Sequence, residues 1–297
     1  MTHPGPRWRS WLLAIRPKTL SAGAAPVLIG SSIAWQDGVF APAPAAAALL
    51  GALLIQIATN LANDLFDFRK GGDREDRIGP TRVVQAGLLT PEAVARATAL
   101  TLLLATLVGG YLVWVGGTPI LVIGLLSLLC AVAYTGGPFP LAYHGLGELF
   151  TLLFFGLIAV TGTYWVQGLR ISPDALLAGA GVGVLSSAIL VVNNLRDRET
   201  DARAGKRTMA VRIGERGSRI EFLLLLLLGA AVPPLGVALL AWSPWTLMGS
   251  LGLLPTLGSL RVVLTFRDPR SLNAVLGRVA GGTLLYALLL SAGFLLG

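Results

Sequence analysis

One cysteine, Cys130, and two histidines are the only Cys and His residues in this 297-residue sequence. A lone thiol permits no intrachain disulfide, and Cys130 lies in an apolar segment where it reads as a small core residue. His144 has no companion Cys or His with which to build a zinc site and reads as a loop residue. Charge is scarce too: 13% of residues are charged against 54% hydrophobic, and the mean hydropathy is +0.73. That balance excludes an ordinary soluble domain. No Gly/Ser linker and no low-complexity tail divides the chain, so residues 1–297 are expected to form a single integral-membrane domain.

What is present is a succession of apolar runs. Nine are long enough to cross a bilayer, at about 19–36, 44–66, 92–115, 118–135, 146–167, 174–196, 219–241, 244–265 and 274–296. The expected fold is therefore an all-α membrane protein with nine transmembrane helices around a central cavity. The basic N-terminal stretch with Arg7, Arg9, Arg16 and Lys18 precedes a first membrane helix rather than a cleaved leader, since eight further spans follow. Thirty-seven glycines and many alanines suit close helix packing in lipid. The net charge of +8 invites a nucleic-acid reading, but its distribution argues otherwise. The N-terminus, the loops after spans 2, 4, 6 and 8 and their flanks hold 22 of the 23 Lys and Arg, leaving only Arg170 opposite. This positive-inside pattern puts the N-terminus in the cytoplasm and the C-terminus outside.

The polar residues concentrate in Asn60–Gly87, NLANDLFDFRKGGDREDRIGPTRVVQAG, directly after an apolar run. On a helix, Asn60, Asn63, Asp64 and Asp67 share one face. Carboxylates at that depth are costly unless paired, hydrated or bound to a cation, which makes the patch a candidate site. The pattern returns 134 residues later. Asn194, Leu195, Asp197, Asp201, Arg203 and Gly205 match Asn60, Leu61, Asn63, Asp67, Arg69 and Gly71, five of the six pairs being identical. Four spans separate the patches, so the repeat predicts four-helix units of the same orientation about an axis along the membrane normal. Both patches then face the cytoplasm, with catalytic loops at about 64–91 and 196–219.

Oxygen ligands from Asp and Asn suit Mg²⁺, which binds through a few carboxylates together with substrate phosphates. Two such clusters across an apolar cavity, with basic loops above, fit a diphosphate whose hydrocarbon tail lies among the helices or in lipid. Mg²⁺ and nearby Arg or Lys would neutralise the charge developing on a departing diphosphate.

The chain resembles the UbiA superfamily of intramembrane aromatic prenyltransferases, and within it the 1,4-dihydroxy-2-naphthoate branch of menaquinone synthesis. The resemblance runs through RPKTLSAGAAPVLIG at 16–30, NDLFDFRKGGDREDRIGPTRVVQAG at 63–87, YTGGPFPLAYHGLGELF at 134–150 and NNLRDRETDARAGKRTMAVRIG at 193–214. It implies a first metal motif on Asn63, Asp64, Asp67 and Asp73 and a second on Asn194, Asp197 and Asp201. Gly71 stands where the broader superfamily often has Asp; Asp73 is its replacement, or else Asp73 and Asp76 are solvated loop acids. Resemblance and electrostatics together point to Lys18, Arg82 and Lys206 for diphosphate contacts, with Arg16 and Arg196 as further candidates. A topological role competes for each. Tyr134 and Tyr143 flank the Gly-Pro loop, either as donors and ring faces for an allylic cation or as interfacial aromatics. Glu148 either orients the acceptor hydroxyl or interacts with its own helix N-terminus.

The implied reaction is Mg²⁺-dependent. Asp64, Asp67, Asp197 and Asp201 hold the metal, the allylic C–O bond of a polyprenyl diphosphate loosens, and the dihydroxynaphthoate ring attacks. Loss of CO₂ from the attacked carbon gives a demethylmenaquinol. The expected partners are polyprenyl diphosphate, the aromatic acceptor and the bilayer of a bacterial inner membrane. Within the superfamily the rival acceptors are 4-hydroxybenzoate, homogentisate and a tetrapyrrole. A divalent-cation transporter would need metal flux and no lipid diphosphate, and a CDP-alcohol phosphatidyltransferase needs an Asp-Gly then Ala-Arg run that the sequence lacks.

Overall fold

The computed structural model describes residues 7–70 and 78–297. Asp73, Asp76 and Gly71 lie outside the described residues. Proline starts many of the helices, in the first turn, where its missing N–H costs nothing. After α1 (Arg7–Ile15) come α2 (Pro17–Gln36), α3 (Pro42–Arg69), α4 (Pro91–Gly116) and α5 (Thr118–Ala133). A 3₁₀ turn at Leu141–His144 leads into α6 (Gly147–Leu152), which passes through a π turn at Leu153–Leu157 into α7 (Ile158–Gly168). Then follow α8 (Pro173–Arg203), α9 (Met209–Leu240), α10 (Met248–Leu251), α11 (Leu254–Thr265) and α12 (Leu272–Leu296). Among the described residues there is no strand.

Among the described residues, seven helical stretches are long and apolar enough to cross a membrane. An eighth arises if α1 and α2 count as one span, bent by 43°. The bend falls at Arg16, whose φ of 54° is left-handed; the following Pro17 disfavours a right-handed helical conformation there. The difference from the nine expected spans is α5. Its 16 residues give only about 24 Å of helix against a hydrocarbon core of about 30 Å.

The core is organised on α8, the most buried of the long helices, whereas α4 is largely exposed. Small residues let α8 approach its neighbours. A Cβ at Gly156 would sit 2.5 Å from both the Gly179 carbonyl oxygen and the Gly183 Cα, so the π turn is pressed against α8 backbone to backbone. Exposed leucines such as Leu103, Leu107, Leu125 and Leu129 cover the outer faces of α4 and α5, as a lipid-facing surface requires.

Candidate active site

The last turns of α3 and α8 carry the two acidic patches, and both open into one cavity of about 980 Å³. One end of it is polar: Lys18, Asn60, Asn63, Asp67, Arg82, Tyr134, Asn194, Asp197, Asp201 and Lys206 line it, together with Arg16 and Arg196. Val113, Ile120, Ile123, Leu128, Phe154 and Ile158 supply apolar wall from α4, α5 and the α6–α7 span.

Asp67 is the centre of the polar end. It is 2% exposed. Its Oδ2 accepts from Arg82 Nη2 at 2.9 Å, and its Oδ1 accepts from Lys206 Nζ and from the Tyr143 hydroxyl, both at 3.1 Å. Lys206 also lies 3.9 Å from Asp201 Oδ1, so one ammonium spans the gap between the two patches. The equivalent aspartates of the two motifs, 134 residues apart, are thus brought into one charge network. Its Nζ stands 4.8 Å from the centre of the Tyr143 ring, and Lys70 Nζ lies 5.2 Å from the same ring. Lys70 is pinned to the carbonyls of Thr135 and Gly137 at 2.8 and 3.2 Å. Desolvation chiefly lowers its ammonium pKa, with Asp67 opposing and Lys206 adding to the shift.

The second patch is held differently. Arg196, 1% exposed, clamps both oxygens of its neighbour Asp197, at 2.8 and 2.5 Å, and reaches Asn193 at 2.9 Å and Asn273 at 3.0 Å. Asn273, at the start of α12, donates in turn to the Ile78 carbonyl at 3.2 Å. That ties the second motif to the return loop of the first. Nothing in the sequence marks Asn273 for this role.

Among the described residues, three of the expected site residues sit elsewhere than the cavity wall. Asp64 is 1% exposed and turned away from the cavity. Its two oxygens accept the backbone N–H groups of Val83 and Val84 at 3.0 and 3.1 Å. A helix advances about 100° per residue, so Asp64 stands a quarter-turn or more from Asn63 and faces the return loop. There Val83 and Val84 pack with Ala14, Leu61, Leu65 and Val94. Asp64 therefore anchors the loop that carries Arg82. Tyr143 reaches Asp67 from outside the lining, and Glu148 lies behind Asn194. Glu148 stands in the first turn of α6, where its carboxylate interacts with its own backbone N–H as well as with Asn194. Its Oε1 accepts from Asn194 Nδ2 at 2.7 Å and its main-chain carbonyl accepts from Ser187 at 2.9 Å.

Asn60 is held in a similar way. Its Nδ2 donates to the Ile15 carbonyl and to Thr19 Oγ1, each at 2.9 Å. Asn63 instead accepts the Thr135 hydroxyl at 2.8 Å. Among the described residues no three His, Cys, Asp or Glu side chains form a ready-made metal cage. The donor set is nonetheless all oxygen, amide and carboxylate on facing walls. That suits a hard cation completing its shell with substrate phosphate rather than a dedicated protein cage.

Comparison with known proteins agrees with this geometry. The model of the UbiA prenyltransferase family matches residues 24–277. The chain is 38% identical to the 1,4-dihydroxy-2-naphthoate octaprenyltransferase of Escherichia coli, over 98% of this chain and 96% of that protein. It is 36% identical to the enzyme of the same name from Mycobacterium tuberculosis, over 94% of each. Among solved structures, a UbiA homolog from Archaeoglobus fulgidus bound to DMAPP and Mg²⁺ superposes with a TM-score of 0.65 at 12% identity, covering 95% of this chain and 99% of that one. The apo UbiA homolog from Aeropyrum pernix K1 gives 0.68 at 17% identity, covering 90% and 97%. With its fold, its paired aspartate patches and these relatives in agreement, the chain belongs to the UbiA prenyltransferase family.

Proposed function

We propose that this protein transfers a prenyl group from a polyprenyl diphosphate to 1,4-dihydroxy-2-naphthoate, releasing CO₂ and diphosphate and forming a demethylmenaquinol. The observation that carries the reading is the Lys206 bridge between Asp67 and Asp201, which makes one site of two motifs. Near-full-length identity to naphthoate octaprenyltransferases supports the choice of acceptor.

Asn60, Asn63, Asp67, Asn194, Asp197 and Asp201 would hold Mg²⁺, which supplies charge neutralisation to the departing diphosphate. Arg82 and Lys206 already rest on Asp67 and need only small movements to donate to phosphate oxygens; Lys18 lines the same end. As the allylic C–O bond breaks, its electron pair leaves with the diphosphate. The ring carbon of the acceptor bonds to the allylic carbon, and the C–CO₂⁻ pair returns to the ring as CO₂ departs. Tyr134, Phe150 and Phe154 offer ring faces along the cavity to the allylic cation. The apolar wall keeps out water that would otherwise capture it.

The whole chain works as one integral-membrane unit, with the aspartate patches and their loops on the cytoplasmic side. The concentration of 22 of 23 basic residues on that side supports the orientation. The α1–α2 pair and α5 complete nine crossings, α5 being extended by the helical backbone of Tyr134. An internal repeat accounts for the constant 134-residue offset. A second likeness supports it: the span before each motif helix, α2 in one half and α6–α7 in the other, uses its first turn, at Thr19 and Glu148, to accept the amide of the motif asparagine.

The test is product analysis with purified protein, Mg²⁺ and a long-chain prenyl diphosphate. The naphthoate should be consumed with CO₂ and diphosphate released. Robust transfer to 4-hydroxybenzoate, with none to the naphthoate, would overturn the assignment.

A further inference from the structure

Asn60 and Asn194 are 4% and 8% exposed, yet both line the cavity. An asparagine amide can present either its carbonyl or its NH₂ to a site, and only the carbonyl serves a cation. What lies behind each asparagine decides between them. Behind Asn60, the Ile15 carbonyl can only accept. Thr19 spends its hydroxyl proton on the Arg16 carbonyl at 2.9 Å, so its oxygen is left as an acceptor for Asn60. Behind Asn194, the Glu148 carboxylate is 8% exposed and, when ionised, offers acceptors alone. Among the described residues, neither Asn60 Oδ1 nor Asn194 Oδ1 accepts a hydrogen bond.

We propose that Glu148, and Thr19 in the other half, are positioning residues that fix the amides of Asn194 and Asn60 so that both carbonyl oxygens point at the cation and diphosphate. Glu148 stands outside the cavity lining, and Thr19 meets the cavity wall beside Asn60. The inference rests on the metal-dependent reading above. It explains why an acidic side chain is kept in the first turn of a membrane helix without lining the cavity. It also explains why chemically unrelated residues, a threonine and a glutamate, stand in corresponding turns. What the two share is acceptor capacity.

The test is Mn²⁺ binding, followed by electron paramagnetic resonance, to detergent-purified protein with inorganic diphosphate present. Removing a partner that orients a metal ligand typically costs about 10–100-fold in metal affinity. Glu148→Leu should weaken Mn²⁺ binding by about tenfold or more. Glu148→Gln, whose Oε1 can accept the same bond, should stay within about threefold of wild type. Thr19→Val removes one of two acceptors behind Asn60 and should give an intermediate loss, an arm that stands even if Glu148→Leu fails to fold. Normal Mn²⁺ binding in both Glu148→Leu and Thr19→Val would overturn the inference. So would a Glu148→Gln variant as impaired as Glu148→Leu, because charge and not acceptor capacity would then matter. Wild-type protein that takes up no Mn²⁺ with diphosphate would instead overturn the metal-dependent reading itself.

Discussion

Asp64→Asn separates two roles for the same carboxylate. As a metal ligand, which the motif resemblance implies, Asp64 would act on the cation. In the structure both of its oxygens are occupied by the N–H groups of Val83 and Val84. Asparagine keeps one acceptor oxygen and turns an NH₂ toward the other N–H, so about one charge-assisted bond is lost. Such a bond contributes about 1.5–3 kcal/mol. The buried N–H left behind has no alternative partner, so local opening of the return loop should become easier by roughly 10- to 100-fold. Hydrogen exchange read by mass spectrometry on peptides covering residues 78–90 should show that acceleration at Val83 and Val84, with other helices unchanged. Turnover should fall because Arg82, next in sequence to Val83, loses its fixed place on Asp67. The Mg²⁺ concentration for half-maximal activity should hardly move. Unchanged exchange together with a steeply raised Mg²⁺ requirement would refute the reasoning and restore Asp64 as a ligand.

Topology can be read directly: a reporter fused after Gly297 should be external and one inserted near Gly205 cytoplasmic, and finding both on one side would contradict the nine-span arrangement. Gly156→Ala should destabilise the protein by about 1–3 kcal/mol, an overpacking cost, because its Cβ would meet α8 backbone at 2.5 Å. Thermal unfolding followed by detergent size-exclusion would show this, and a wild-type profile would mean that the π turn and α8 do not pack as described.

Much of this was legible in the sequence because helical periodicity and hydropathy are local signals. Asn60, Asn63 and Asp67 fall on one face by spacing alone, and the repeat at 194, 197 and 201 copies it. Periodicity does not say what stands opposite a face, however. Asp64 belongs to the same predicted stripe, and only the fold of the return loop onto it decides that its oxygens meet main-chain N–H groups. The same holds for Glu148, whose partner Asn194 lies 46 residues away, and for Asn273, which reaches Ile78 across 195 residues. Arg196 carries a double meaning in sequence, as a topological charge or a phosphate ligand. Burial against Asp197, Asn193 and Asn273 gives it a third.

The claim on which the rest depends is that the two patches act as a single cradle. Asp67 and Asp201 share Lys206 and occupy matching places in the two sequence motifs. Each should therefore be needed in the same transition state. A double-mutant cycle on initial rates at saturating Mg²⁺, with folding checked by detergent size-exclusion, measures this directly. Asp67→Asn and Asp201→Asn should each lower turnover by on the order of a hundredfold or more, as lost electrostatic stabilisation does elsewhere. The double variant should be little worse than the worse single one, the non-additivity of residues that act as a unit. Strict additivity, or near-normal turnover in either single variant, would contradict the shared cradle.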